Sequence, residues 1–325
     1  MSRTGADFAK NPVLAYQFGA TEVHATGPSP YHCLSVLLPP PVRPGDPLRI
    51  IAPSGPFDRT LFFRAIGWLG CRYRLIWDRS CLQRAGYLAG DDQRRLAELD
   101  AALRDPHARA IIAVRGGYGA TRITHLADFS SLQRHPKWCV GFSDVTALHL
   151  EALRVGVASL HASNLASLGR GDAVARAEWL DALETPLAPR RFLSLHELVP
   201  GRAQGVLVGG NLTLLFCCAA SGRLRLPDGC LLFLEEVSEA PYRIDRMLTS
   251  LLVSGHLDRV AGFCIGDLSS DGSPPAALDV VRERLGRLGV PIVAGLPVGH
   301  GHVNRCLPLG VQAQLAETEL SLHPS

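Results

Sequence analysis

The sequence has no C-x-x-C pair and no long apolar run, and these absences exclude several classes of protein. Its nine cysteines are odd in number, and most lie inside apolar stretches, where cysteine behaves as a small buried hydrophobe. This pattern is typical of a reduced, cytoplasmic protein rather than of a disulfide scaffold or a zinc knuckle. No segment reaches the ~18 uninterrupted apolar residues of a membrane helix, and the first residues lack the apolar core of a signal peptide. We therefore predict a protein with no membrane partner.

Clusters of lysine and arginine interleaved with aromatic residues are also missing. A formal net charge of +3 over 325 residues is nearly neutral, so nucleic-acid binding has no electrostatic support. No H-E-x-x-H or comparable ligand spacing occurs, which disfavours metal catalysis. The glycines of "AVRGGYGATR" fit neither Walker A nor G-x-G-x-x-G. The sequence thus predicts no nucleic-acid partner, no metal and no cofactor.

What the sequence does contain is a regular alternation of short apolar strands and amphipathic helices. "LRIIAP", "YRLIWD", "ARAIIAVRGG" and "KWCVGFS" are predicted strands, and "DRTLFFRAIGWLGC" is a predicted helix between the first two. "DDQRRLAELDAALRD" is a second helix, with apolar Leu96, Leu99, Ala102 and Leu103 near the 3.6-residue period. Continuous apolar strands of this kind predict an α/β fold with a parallel sheet covered on both faces.

The length of the chain favours two domains over one core. Residues 1–40 are predicted to be an N-terminal extension, and 41–168 an α/β domain. Residues 169–204 are charged, contain prolines and have little periodicity, so they are predicted to be a linker. Residues 205–325 are predicted to form a second β/α domain that ends in a closing hairpin.

Ser143 stands between a predicted strand and a predicted helix in "KWCVGFSDVTALHLEAL". A serine at such a place is often only the N-cap of the helix, and for an isolated serine that interpretation is favoured. The flanking "GFSD" is similar in layout to a nucleophile elbow but lacks the second glycine of G-x-S-x-G. If Ser143 is a nucleophile instead, the N–H of Asp144 can donate to an oxyanion.

A glycine loop follows "ARAIIAV", the predicted strand before the one that leads to Ser143. Gly116 and Gly117 allow close backbone approach and can direct N–H groups at an anion. Arg115, directly before them, suits a carboxylate clamp. The alternative is a tight strand-to-helix turn with no ligand.

Two more strand ends carry groups that could take part in catalysis. Glu235 and Glu236 end the apolar run "CLLFL", where carboxylates are unusual unless they face a site; the alternative is a solvated strand end. His300 ends the predicted strand "PIVAGLPVGH" between two glycines, and its neighbour His302 is the natural competitor. In open α/β sheets ligands gather at carboxyl ends of strands. A hydroxyl, a carboxylate and an imidazole at such ends are the parts of a Ser-Glu-His triad.

With these motifs the chain resembles the serine LD-carboxypeptidase family, which also contains microcin C self-immunity proteins. The resemblance covers most of the chain. It is carried, in family order, by "VRPGDPLRIIAPSGPFD", "GYLAGDDQRRLAELDAALRDPHARAIIAVRGGYGATRI", "GFSDVTALHL", "GGNLTLL", "FLEEVSEAPYRIDRMLTSL", "LPVGHG" and "LPLG".

The resemblance implies an N-terminal flavodoxin-like domain, a C-terminal swivelling β/α domain, and an active site between them. It also implies that Ser143 is the nucleophile, Glu235 the triad carboxylate and His300 the base. Asp144 and Gly117 would supply the oxyanion-hole N–H groups.

The family implies the substrate class as well. Its characteristic reaction cuts murein tetrapeptides between a diamino acid of L configuration and terminal D-Ala. Family members are usually cytoplasmic homodimers and use no metal. A carboxypeptidase must bind a terminal carboxylate, and Arg115 and Gly116 are the residues expected to bind it. The alternatives are an amidase of microcin C-like peptidyl-nucleotides and a catalytically inactive binder of cell-wall peptides. The chain departs from its relatives at His161-Ala162-Ser163, where they commonly have His-Gly-Pro. The segment after "RIDRML" is short, which favours the murein substrate.

Overall fold

Two sheets, each packed against helices, form an α/β fold in a computed structural model that describes residues 36–269 and 274–324. Most of the predicted N-terminal extension, 1–40, lies outside the described residues. Within the described ranges, no helix is both long and apolar enough to cross a membrane.

The first sheet has five parallel strands and one antiparallel strand that comes from much later in the chain. Its strands are β1 (Pro47–Ile51), β2 (Arg74–Ile76), β3 (Ala110–Ala113), β4 (Trp138–Gly141), β5 (Ser159–His161) and β12 (Leu307–Leu309). Their order across the sheet is β12-β5-β4-β3-β1-β2. The parallel part has the flavodoxin-like order 2-1-3-4-5, so its topological switch point lies between β1 and β3. Ligands of such sheets bind beyond the carboxyl ends at that point.

Helices cover both faces of this sheet, as predicted. They are α1 (Arg59–Gly70), α2 (Asp92–Arg104), α3 (Ser131–Arg134), α4 (Thr146–Arg154), α5 (Leu165–Leu168) and α6 (Ala173–Glu184). Because successive strand residues point to opposite faces, Ile50 lies in one core cluster with Phe62 of α1. Ile51 lies in another cluster with Leu99 of α2. Burial on both faces explains why the strands are continuously apolar.

The second sheet is mixed, with a parallel centre and antiparallel edges. Its strands are β6 (Arg190–Phe192), β7 (His196–Val199), β8 (Arg202–Asn211), β9 (Leu231–Val237), β10 (Gly262–Ser269), β11 (Ile292–Ala294), β13 (Val311–Ala316) and β14 (Glu319–Leu322). Their order is β6-β14-β13-β8-β9-β10-β11-β7, in which β8 to β11 run parallel. Its helices are α7 (Leu212–Ala220), α8 (Pro241–Val253) and α9 (Pro274–Leu285).

The segment predicted as a linker, 169–204, contains regular structure. Helix α6 buries Trp179 in the core cluster of the first sheet, and β6 and β7 are the two edges of the second sheet. Its periodicity is weak because α6 buries only Trp179, Ala182 and Leu183, while β7 is partly exposed. The domain limits themselves stay a prediction.

The predicted closing hairpin divides between the two sheets. Strands β13 and β14 do form a hairpin in the second sheet, but β12 pairs antiparallel with β5, with Leu307 opposite His161. The loop that carries His300 leads directly into β12. This pairing therefore joins the histidine loop to the sheet that carries Ser143.

Candidate active site

Ser143 lies at the carboxyl end of β4 in a strained backbone conformation. Its φ is 67°, in the left-handed region that residues with a side chain rarely adopt. A 3₁₀ turn, Ser143–Val145, follows and leads into α4. Strand, strained serine and helix form the layout of a nucleophile elbow, although the second glycine of that motif is absent.

The Ser143 side chain does not cap the helix. In the cap interpretation, Oγ would accept a hydrogen bond from an N–H of the following turn. Neither the 3₁₀ turn nor α4 receives a side-chain cap. Ser143 is half-buried, and its Oγ has no hydrogen-bond partner among the described residues. The cap interpretation, which the local sequence favours, is therefore wrong.

Asn164 holds the elbow, and sequence reasoning missed it. Its Oδ1 accepts from the N–H of Phe142 at 3.2 Å, and its Nδ2 donates to the Phe142 carbonyl at 3.4 Å. Gly141 makes room for this bridge, since a Cβ there would lie 2.7 Å from Asn164 Oδ1. A single Asn after a strand carries too little sequence signal to be singled out.

The glycine loop reaches Ser143 through its backbone. A Cβ on Gly116 would lie 2.8 Å from Ser143 Cβ and 3.0 Å from Ser143 Oγ. Gly55 donates its N–H to the Gly116 carbonyl at 3.1 Å, so the planar peptide turns the Gly117 N–H in the opposite direction. In the described part of the chain, neither the Gly117 N–H nor the Asp144 N–H has an acceptor. One unpaired donor thus follows Ser143 directly, and the other follows Gly116, the residue of the loop that contacts Ser143.

Two buried charged side chains hold this loop against the elbow. Asp144 Oδ2 accepts from the N–H of Ala120 at 2.7 Å, and burial raises the pKa of its carboxyl group. Arg95, which is fully buried, donates to the carbonyls of Gly119 and Pro53, the former at 2.7 Å. The loop after β3 is therefore tied to both neighbouring strand ends.

Glu235 and His300 form a hydrogen-bonded pair. His300 Nδ1 lies 2.7 Å from Glu235 Oε2, and the Glu235 side chain is 0% exposed. Burial alone would lower the pKa of His300, but its hydrogen bond to Glu235 and the charges of Glu235, Glu236 and Asp267 raise that pKa above its usual value. Burial also raises the pKa of Glu235. A pair of this kind orients an imidazole and stabilises its cation.

Glu236 is engaged elsewhere. Its Oε1 accepts from Asn211 Nδ2 at 3.0 Å, and its Oε2 accepts from the Thr213 N–H at 2.8 Å, at the start of α7. His302 is exposed. Of the two adjacent glutamates and the two nearby histidines, the structure pairs only Glu235 with His300.

The two sheets meet at the start of α4. The N–H of Asn211, at the end of β8, donates to Thr146 Oγ1 at 3.0 Å. Gly210 permits this approach, because a Cβ there would lie 2.5 Å from the same oxygen. Asn211 lies opposite Glu235 in the β8–β9 pairing, so this contact sets the distance between the elbow and the carboxylate.

His300 reaches the elbow through Phe142. The two ring centroids lie 4.8 Å apart, which brings the imidazole to the residue that precedes Ser143. Among the described residues no hydrogen bond joins Ser143 Oγ to the His300 ring. Such bonds are often long before substrate binds. Arg115 is exposed, and its Nη1 donates to the Pro56 carbonyl beside the glycine loop.

Known proteins share both sequence and fold with this chain. Residues 48–162 match the N-terminal domain of LD-carboxypeptidases, and 204–315 match the C-terminal domain. A protein of Synechocystis sp., provisionally named a carboxypeptidase, is 39% identical over 290 residues, 86% of this chain and 94% of the relative. The murein tetrapeptide carboxypeptidase of Pseudomonas aeruginosa is 34% identical over 248 residues, 72% of this chain and 81% of the relative.

Solved structures of the same fold include a protein with a related name. The crystal structure of muramoyltetrapeptide carboxypeptidase from Oxalobacter formigenes has a TM-score of 0.76 at 30% identity, and covers 85% of this chain and 97% of that one. The microcin C7 self-immunity protein MccF has a TM-score of 0.81 at 21% identity, with 89% and 99% covered. At 21% identity, the similarity to MccF shows a shared fold and nothing more.

Proposed function

This chain belongs to the LD-carboxypeptidase family, and on that premise we propose that it is a serine peptidase that releases terminal D-Ala from murein tetrapeptides. The bond cleaved would join D-Ala to an L-configured centre of a diamino acid. The proposal is supported by the names of a relative and a solved structure at 34% and 30% identity. The observation that carries it is a strained serine that caps nothing and directly follows Phe142, whose ring packs against the His300 of a Glu235–His300 pair.

The chemistry proposed is acyl transfer through Ser143. His300 Nδ1 is engaged with Glu235, so Nε2 is left to take the Ser143 proton as Oγ attacks the carbonyl carbon. The oxyanion would accept from the N–H groups of Gly117 and Asp144. When the C–N bond breaks, His300 returns the proton to the leaving D-Ala amine. Water then attacks the acyl-serine by the same route, and the shortened peptide leaves.

Gly116 and Arg115 are the residues proposed to contact the substrate. Gly116 would contact the substrate through its backbone, because it lies directly against Ser143. Arg115 would contact it through an exposed guanidinium next to the loop. Family resemblance supports a cytoplasmic homodimer. Sedimentation of the purified protein would test whether it is a dimer.

Release of D-Ala from a purified murein tetrapeptide tests the activity directly. We expect release at the same rate with and without a chelator. No release would contradict the proposal, and release abolished by chelator would contradict the serine mechanism. Cleavage of a microcin C-like peptidyl-nucleotide, with none of the tetrapeptide, would favour the amidase alternative.

Gly116→Ala tests whether the glycine loop sets the position of the nucleophile. We expect kcat for D-Ala release to fall by about 100-fold, since a new methyl group would press on Ser143 and misplacement of ~1 Å has such an effect. Gly67→Ala is the matched control. It lies on α1 with nothing within 4 Å of the added Cβ, so it should keep full activity. Equal activity of the two variants would contradict the proposed loop contact.

A further inference from the structure

A cavity of about 360 Å³ opens beside His300, and no role described above uses it. It lies between the histidine loop and the start of α6. Phe142, Ser167, Arg170, His300 and Asn304 are among the residues that line it. The cavity therefore shares a wall with the proposed general acid.

The cavity contains an arginine whose charge is not neutralised. Arg170 is exposed, and its side chain makes no hydrogen bond or ion pair with the rest of the described chain. Two carboxylates also line the cavity. Asp172 Oδ1 caps α6 by accepting from two N–H groups, and Glu178 Oε1 accepts from Arg305 Nε at 3.0 Å. Neither carboxylate forms an ion pair with Arg170, so its guanidinium can bind a ligand.

Asn304 orders the histidine loop at the wall of the same cavity. Its Oδ1 accepts from the Gly299 N–H at 3.0 Å, next to His300. The position of the imidazole relative to the cavity is therefore fixed by the loop itself. A guanidinium beside it suits a carboxylate, which it can bind through two parallel N–H donors.

The proposed mechanism puts such a carboxylate near His300. The amine of the leaving amino acid must come within hydrogen-bond reach of His300 Nε2 to receive its proton. The carboxyl carbon of that amino acid is two bonds away, about 2.5 Å from the amine nitrogen. Arg115 instead lies beside the glycine loop, where the oxyanion would be held. The carboxylate and the oxyanion belong to opposite sides of the scissile bond.

We propose that this cavity is the leaving-group subsite and that Arg170 binds the terminal carboxylate of D-Ala. The proposal rests on the proposed peptidase function. It assigns Arg170 rather than Arg115 as the residue that makes the enzyme a carboxypeptidase.

The test compares murein tetrapeptide with the same peptide carrying a C-terminal amide. For the wild type we expect kcat/KM to be about 10- to 100-fold lower on the amide, since a charge-assisted contact is lost. Arg170→Gln should lower kcat/KM on the acid to the level of the amide and leave the amide unchanged. Arg170→Lys should restore part of the difference. Arg64→Gln, an exposed arginine on α1, should keep the wild-type ratio.

Two outcomes would overturn the proposal: an unchanged acid-to-amide ratio in Arg170→Gln, or loss of that ratio in Arg115→Gln instead. Calorimetric binding of the two peptides to Ser143→Ala, with and without Arg170→Gln, gives the same comparison without turnover. If the wild type releases no D-Ala but binding still prefers the acid through Arg170, the proposed function fails and the subsite stands. If turnover occurs and neither assay depends on Arg170, only the subsite fails.

Discussion

Replacing Ser143 with alanine should reduce kcat for D-Ala release by about 10⁴- to 10⁶-fold, as loss of the nucleophile does in serine peptidases. The free energy of unfolding should stay within about 0.5 kcal/mol of the wild-type value, because the Ser143 hydroxyl caps no helix N–H. Steady-state kinetics and denaturant unfolding measure the two quantities. If Ser143 were only a cap, the result would be reversed: activity retained, and a stability loss of about 1 kcal/mol.

Ser143→Gly is the matched control for backbone strain. The left-handed conformation costs a residue with a Cβ roughly 1–2 kcal/mol, whereas glycine adopts it freely. Part of that gain is offset by the greater entropy of glycine in the unfolded chain, roughly 0.5–1 kcal/mol. We therefore expect Ser143→Gly to be as inactive as Ser143→Ala and up to about 1.5 kcal/mol more stable. A glycine variant clearly less stable than the alanine variant would contradict the view that the elbow stores strain for function.

Glu235→Gln is expected to have the second largest effect, a fall in kcat of about 10⁴-fold. In the proposed mechanism the carboxylate, which is hydrogen-bonded to His300, holds the imidazole tautomer and stabilises its cation. Replacing the carboxylate of a Ser-His-Asp triad by a neutral amide has an effect of this size. The pH profile gives a second readout. His300 must be neutral to accept the serine proton, and its pKa is raised chiefly by Glu235. Activity of the wild type should therefore rise with pH through a midpoint above the usual histidine pKa. In Glu235→Gln that midpoint should move to lower pH.

Glu236→Gln separates catalysis from structure. Glu236 accepts hydrogen bonds from Asn211, Thr213 and Val237, so the change turns an amide N–H₂ toward at least one donor. We expect a loss of about 1–3 kcal/mol of stability with most of the kcat retained in the folded protein. A variant pair in which Glu236→Gln lost activity and Glu235→Gln did not would refute the assignment of the triad carboxylate.

The order of strands and helices in the first domain could be predicted from the sequence, because burial on two faces requires continuous apolar strands and periodic helices. The end of β4 could also be read, and with it the position of Ser143. The prediction that His300 ends a strand is wrong: β11 ends at Ala294, because the glycines and prolines that follow break the strand, and His300 lies in the loop after it. Glu235 lies inside β9, two residues before the strand ends. The weakly periodic segment 169–204 could not be interpreted this way. Helix α6 buries only a narrow stripe of apolar side chains, and β6 and β7 are edge strands. Neither the helix nor the strands therefore give a strong hydrophobic periodicity.

What the sequence by itself determined is which candidate residues end or follow apolar runs, since periodicity and turn composition are local properties. Only the tertiary structure decided which of these residues meet. Glu235 and Glu236 are adjacent and chemically alike, but alternation along β9 turns one to His300 and the other to Asn211. The local sequence around Ser143 is that of a helix N-cap, and its left-handed backbone and its contacts with Gly116 and the Asn164-bound Phe142 appear only in the folded chain. Contacts across domains depend on packing between distant segments, which no local pattern encodes.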